Sequence, residues 1–190
     1  MHNIGNDIID LKLAKTASNW CRKGFLEKQF TQREQEDIHV SEDPFFKVWL
    51  FWSMKEAAYK CYTQSVKKRF FAPQKFECTT FSSSEGVVVF KEMKFHTSSF
   101  FDAFHVHTLA RETQKEGKLF YAVGAPKEIN KAVKKRLSTI IGVLPKELEK
   151  RKTLVGAPLF YYQEELLTKS CSISHHGNYG AYAFNRCSKF

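Results

Sequence analysis

The sequence predicts an α+β fold in which an antiparallel sheet packs against a long helix. Three stretches carry that expectation. Asp43 is a good N-cap, Pro44 suits the first helical position, and no breaker follows before Ser65, which marks the clearest helix in the chain. Residues 76–123 are largely strand-like. Towards the end, Cys171-Ser172-Ile173-Ser174 runs through His175-His176-Gly177-Asn178 into Ala181-Tyr182-Ala183-Phe184, a strand, a turn and a second strand.

The remaining elements follow in order. Residues 4–9 read as a short opening strand. Residues 11–23 read as a helix with Leu11, Leu13, Ala14, Ala17 and Trp20 as apolar candidates. Thr31 and Glu34 stand at capping-box spacing and start another helix, which reaches Ile38. Within the strand-like middle, residues 82–86 make a turn before Val87-Val88-Val89-Phe90, and 101–109 and 119–123 are further strand candidates. Residues 128–141 read as a helix with Ile129, Ala132, Val133, Leu137 and Ile140 on its inner face. Gly156-Ala157-Pro158 breaks the chain. No repeat, low-complexity tract or linker is evident in the sequence.

Composition narrows the class. The chain is 43% hydrophobic and 15% aromatic, enough for a real core. Its longest apolar stretch, residues 45–52, is interrupted by Lys47 and too short to span a bilayer. The N-terminus lacks the pattern of a secretory signal. Five cysteines form no CxxC pair, and their odd number argues for reduced thiols in a cytoplasm. The net charge of +10 attracts polyanions: nucleic acid, phosphorylated cofactors or an acidic protein. Residues 127–152 concentrate it, as a solvated face or as an anion-docking surface.

Three segments carry chemistry. On the helix after Asp43, Phe45, Trp49, Trp52 and Tyr59 draw one aromatic stripe, and Glu56 falls on it. A carboxylate among aromatics needs a compensating cation, and Lys60, four residues on, can supply it. The plainer alternative is a surface Glu–Lys pair. In Ile4-Gly5-Asn6-Asp7-Ile8-Ile9-Asp10, Asp7 is unusual in a strand and shares its face with Gly5, which leaves room for something bulky beside the carboxylate. Helix capping is the alternative for Asp7 and the better reading for Asp10. Asp7 and Glu56 are hard ligands suited to Mg²⁺, and a lysine beside them suits a phosphate in its transition state. In the third segment, Ser172, Ser174 and His175 with the turn amides make a phosphate-binding rim.

These segments, in this order, resemble the 4′-phosphopantetheinyl transferase superfamily. IGNDIIDL resembles its G-x-D motif, WSMKEAAYK its W-x-x-K-E-A-x-x-K motif and SISHHGNYGAYA its S-I-S-H motif, with Gly156-Ala157-Pro158 similar to the upstream G-x-P. The matched stretches cover about a quarter of the chain. The order is that of the holo-acyl-carrier-protein synthase branch, since in the two-lobed branch S-I-S-H precedes the Asp motif.

The resemblance implies transfer of the phosphopantetheine arm of coenzyme A to a serine of an acidic acyl or peptidyl carrier protein, leaving adenosine 3′,5′-bisphosphate. Asp7 and Glu56 would hold Mg²⁺. Glu56 would help deprotonate the serine, and Lys60 would stabilise the phosphate under attack. Lys55 and His175 would contact coenzyme A phosphates with Ser174 assisting. It further implies a cytoplasmic enzyme of fatty-acid or secondary metabolism, and a single domain over 1–190 with an enlarged middle at about 76–152 that either preserves the homotrimer of compact relatives or replaces it. Neither nucleic acid nor a membrane is an expected partner. Two rivals stand beside this: a metal-dependent nuclease built on Asp7, Glu56 and Lys60, and a basic nucleic-acid-binding module using 127–152.

Overall fold

The computed structural model describes residues 3–68, 70, 72–113 and 118–187. Strand β1 (Ile4–Asp10) opens the chain and is buried along its whole length. Its C-terminal residue turns the chain: Asp10 accepts the Leu13 N–H at 3.0 Å and so starts α1 (Leu11–Ala17). That helix ends at Ser18, well short of the expected 23, and Leu13 and Ala17 are exposed where the inner face was expected. A further short helix, α2 (Phe25–Gln29), follows Gly24, whose φ of 80° lies in the left-handed region. Helix α3 (Gln32–His39) carries the expected capping box between Thr31 and Glu34.

Helix α4 (Pro44–Val66) is the central element, started by Asp43, which accepts the Phe46 N–H at 2.9 Å. It is buried on several sides at once. Val48, Phe51, Met54, Ala57, Ala58 and Cys61 form its most deeply buried surface, while Phe45, Trp52 and Tyr59 of the aromatic stripe are partly buried flanks. The helix stops at Lys67, which is left-handed at φ 53° and returns its N–H to Thr63 O.

Strands β2 (Glu77–Thr80), β3 (Glu85–Phe90), β4 (Met93–Phe101) and β5 (His105–Arg111) then form an antiparallel meander, in the order β1-β5-β4-β3-β2. The strand expected over 101–109 is two strands. Asp102 accepts the N–H groups of Phe104 and His105 and turns the chain between them. Residues 114–117, inside the stretch read as strand-like, lie outside the described residues.

Strand β6 (Leu119–Gly124) and helix α5 (Ile129–Ile141) begin the second half, with Ile129, Val133 and Leu137 buried as expected. Three short strands follow, β7 (Glu149–Lys152), β8 (Pro158–Tyr162) and β9 (Glu165–Leu166). The closing hairpin is β10 (Thr168–His176) and β11 (Tyr179–Arg186), ordered β10-β11-β6. The core has one cluster around α4 and another around α5, with Ile4, Leu109 and Ala183 making a smaller one between them.

One junction positions the site. Along one edge β1 pairs with β5. Serine side chains of β10 also serve it, since Ser170 Oγ accepts Ile4 N–H at 2.9 Å and Ser172 Oγ accepts Asn6 N–H at 3.0 Å. The backbone of a strand with polar residues is thereby satisfied from both halves of the chain. No helix among the described residues is long and apolar enough to cross a membrane, and all five cysteines are unpaired.

Candidate active site

Gly5 sets the approach of β1 to α4. A Cβ at Gly5 would overlap the carbonyl oxygen of Ala57 and crowd the Cys61 nitrogen. The room left by the missing side chain is therefore taken by the helix backbone, which is the bulky neighbour the strand makes way for. Two residues further on the same strand face, Asp7 arrives beside the half-buried side of α4 that carries Glu56 and Lys60.

There Lys60 Nζ donates to Asp7 Oδ1 at 2.6 Å. The other carboxylate oxygen, Asp7 Oδ2, is buried without a hydrogen-bond partner. Burial raises the Asp7 pKa above the usual carboxylate value, while Lys60, the Ile8 N–H and the His176 imidazole pull against that rise. Glu56 lies within electrostatic reach of both groups. Its pKa is pushed up to about 7, first by burial and then by the negative charge of Asp7, with Lys60 opposing. Two carboxylates and one ammonium thus share a small, partly dry space, and Glu56 is poised to exchange a proton near neutral pH. The sequence paired Lys60 with Glu56; the short ion pair goes to Asp7.

The hairpin β10–β11 closes over the end of β1. His176 Nδ1 accepts the Asp10 N–H at 2.9 Å, and Asp10 Oδ2 accepts from Asn178 N at 3.0 Å and Nδ2 at 3.2 Å. Gly177, at φ 55°, lies against the Asp10 carboxylate, where a Cβ would overlap it. Burial works the other way, but these amides and that of Leu13 hold Asp10 below the usual carboxylate range. Asp10 therefore caps α1, as expected, and also clamps the hairpin tip. The clamp escaped sequence reasoning because its partners lie 166 to 168 positions away.

Three expected phosphate contacts are placed differently. Lys55 is 0% exposed, and its three N–H donors meet Glu34 Oε2 at 2.8 Å, Pro73 O at 3.0 Å and Phe76 O at 2.5 Å. It has no proton left to offer a ligand, because its face of α4 looks toward α3 and the start of β2. Ser174 is buried and its Oγ accepts from Asn6 Nδ2 at 3.0 Å, so it seams β10 to β1. His175 is exposed, on the strand face it shares with Cys171 and Ile173, opposite to that of Ser172 and Ser174. Its neighbour His176 is the imidazole near Asp7. His107 lies behind the seam, with Nε2 3.2 Å from Asn6 Nδ2. Burial, followed by the charges of His105 and Lys60, lowers its pKa to about 4, so it is neutral at physiological pH.

The donor set fits a small hard cation. Asp7 brings an unpartnered buried oxygen and Glu56 a second carboxylate; among the described residues no cluster of three His, Cys, Asp or Glu forms a closed cage. Two carboxylates with the rest of the shell left to water and phosphate is the pattern of Mg²⁺.

The family model of the 4′-phosphopantetheinyl transferase superfamily matches residues 3–120. The match takes in Asp7, Glu56 and Lys60 and stops before the closing hairpin. Among solved structures, the Thermotoga maritima holo-[acyl-carrier-protein] synthase aligns with a TM-score of 0.47 and 14% identity, over 83% of this chain and 82% of that one. No curated protein matches the sequence. With more than half of its length matched, and the residues that meet at the β1–α4 junction inside that match, this chain belongs to the 4′-phosphopantetheinyl transferase superfamily.

Proposed function

We propose that the protein transfers the 4′-phosphopantetheine group of coenzyme A to a serine of an apo carrier protein, in the manner of holo-acyl-carrier-protein synthases. The observation that carries this reading is the meeting of Asp7, Glu56 and Lys60 around a buried, unpartnered carboxylate oxygen. Those groups suit a pyrophosphate and the hydroxyl that attacks it.

In this reading the serine Oγ forms a bond to the pantetheine-side phosphorus. The bond from that phosphorus to the bridging oxygen breaks, and adenosine 3′,5′-bisphosphate leaves. Glu56, ionising near 7, takes the serine proton. Lys60, held by Asp7, sets its positive charge beside the phosphate as negative charge builds there. Asp7 Oδ2 and Glu56 would hold Mg²⁺, which when bound neutralises the pyrophosphate.

Charge supports the partner class. Lys12, Lys15 and Arg22 are exposed around α1, with Leu13 36% exposed among them. A basic rim with an apolar centre suits an acidic carrier helix and speeds its approach. The basic run at 127–152 is partly neutralised, since Arg151 pairs with Glu149 and Glu164, so α1 is the stronger candidate. Five unpaired cysteines support work in a reducing cytoplasm.

The test is direct. Incubated with Mg²⁺, coenzyme A and an apo carrier protein, the enzyme should add one phosphopantetheine to the carrier serine, read by intact-mass spectrometry. Carriers from both fatty-acid and secondary metabolism that stay unmodified under every condition would remove this reading.

A further inference from the structure

A cavity lies away from the catalytic junction, where the end of α4 meets β3 and the approach to β2. It holds about 680 Å³, within the range of small-molecule sites. Tyr62, Phe70 and Phe90 make its apolar floor, and the exposed Lys68, Lys75 and Lys91 stand around it. Tyr62 is six residues beyond Glu56, which at about 3.6 residues per turn puts it about 120° round the helix. The cavity therefore opens on a different face of α4 from the one that meets Asp7.

Its positive charge is uncompensated. Glu77 is the one carboxylate among the lining residues, and among the described residues no carboxylate lies within ion-pair distance of the three lysines. Lys75 Nζ rests 5.6 Å from the centre of the Phe70 ring and Lys91 Nζ 5.5 Å from that of Phe90. Such contacts place an ammonium over a ring without using up its N–H donors. Lys91 also stands there at a cost. It opens the two-residue turn Lys91-Glu92 that joins Phe90 to Met93, with φ 55° in the left-handed region. Hairpin turns take glycine, asparagine or aspartate at such a position, so lysine gains nothing for the turn itself. What it gains is an ammonium above Phe90.

The shape of the floor selects the ligand. The rings of Tyr62 and Phe90 meet at 77° and those of Phe70 and Phe90 at 34°. Neither pair offers a parallel slot to a flat base, whereas a flexible chain can follow both. We propose that this cavity binds a single-chain anionic amphiphile, with its acyl chain along Tyr62, Phe70 and Phe90 and its head group on Lys75 and Lys91. A carboxylate or a phosphate head has the charge the lysines need. The site uses none of the residues at the catalytic junction, and the inference does not rest on the transferase reading.

The test is calorimetric titration of the full chain, without coenzyme A or Mg²⁺, with dodecanoate and with dodecyl phosphate, each kept below its micelle concentration. We expect saturable binding at one site per chain, and the ligand that binds more tightly names the head group. Lys75→Glu should weaken that binding about tenfold. Lys91→Gly should weaken it as much while melting no lower than the wild type, because glycine suits the positive φ. Absence of saturable binding by both ligands, or full affinity in either variant, overturns the proposal. So does dodecyltrimethylammonium binding as tightly as dodecanoate, which would show that the lysines do not select the ligand. Competition by adenosine monophosphate would mean a flat ligand, and competition by coenzyme A would move the ligand to the catalytic junction; both results overturn it.

Discussion

Lys60 donates to Asp7, 53 positions away in sequence, at 2.6 Å, and not to Glu56 one turn before it on the same helix. The ammonium thereby bridges β1 and α4 and sits between two carboxylates that would otherwise repel. Replacing it by methionine removes the influence that lowers the Glu56 pKa, so that pKa rises further above about 7. Lys60→Met is expected to lose about 100-fold in transfer rate and to shift the acid limb of the pH–rate profile to higher pH. A profile that keeps its acid limb would show that Lys60 does not act on Glu56.

Glu56 also links the site to stability. It ionises near 7 in the folded chain and near 4.5 when unfolded. Between those values the unfolded chain has released a proton that the folded chain retains, so stability falls as pH rises from about 4.5 to about 7. Glu56→Gln is therefore expected to melt higher than the wild type at pH 8, by on the order of 5 °C, with the difference closing toward pH 4.5. Calorimetric scans across that range check it.

Lys55 and Glu34 form a fully buried ion pair that joins α4 to α3 and the approach to β2. Lys55→Met strands the Glu34 carboxylate and should cost about 3–5 kcal/mol in urea unfolding. Adding Glu34→Gln removes the stranded charge and keeps one carbonyl oxygen, which can accept from one of the Thr31 and Cys78 amides, so it should recover part of the loss. A direct phosphate contact would instead raise the coenzyme A KM and leave stability unchanged.

Gly5→Ala drives a methyl into the backbone of α4. We expect a loss of about 3 kcal/mol in stability, and a folded fraction whose transfer rate falls because β1 and α4 separate. Wild-type stability in this variant would mean that the strand and helix are not in close contact.

Much of this architecture was legible in the sequence because its signals are local. The N-cap and proline of α4, the Thr31–Glu34 box and the Gly177-Asn178 turn each specify their own element. Asp7 and Glu56 stood out because a carboxylate among apolar neighbours conflicts with its surroundings. Strand β4 was missed because its inward face reads Phe95, Thr97, Ser99, without an apolar alternation. Lys55 was misassigned because its partner, Glu34, is 21 positions away and reads as a capping residue, which it also is. That His176 and not His175 lies toward β1 follows from which face of β10 meets that strand, and this rests on serine contacts more than 160 positions long.

The most direct measurement is a time course of carrier modification by wild type and Glu56→Gln, followed by intact mass at pH 7.5 with Mg²⁺ and coenzyme A. If Glu56 is the proton acceptor beside Asp7 and Lys60, the variant transfers at least about 100-fold more slowly while remaining folded. Transfer by Glu56→Gln at the wild-type rate would contradict the assignment of this junction as the catalytic centre.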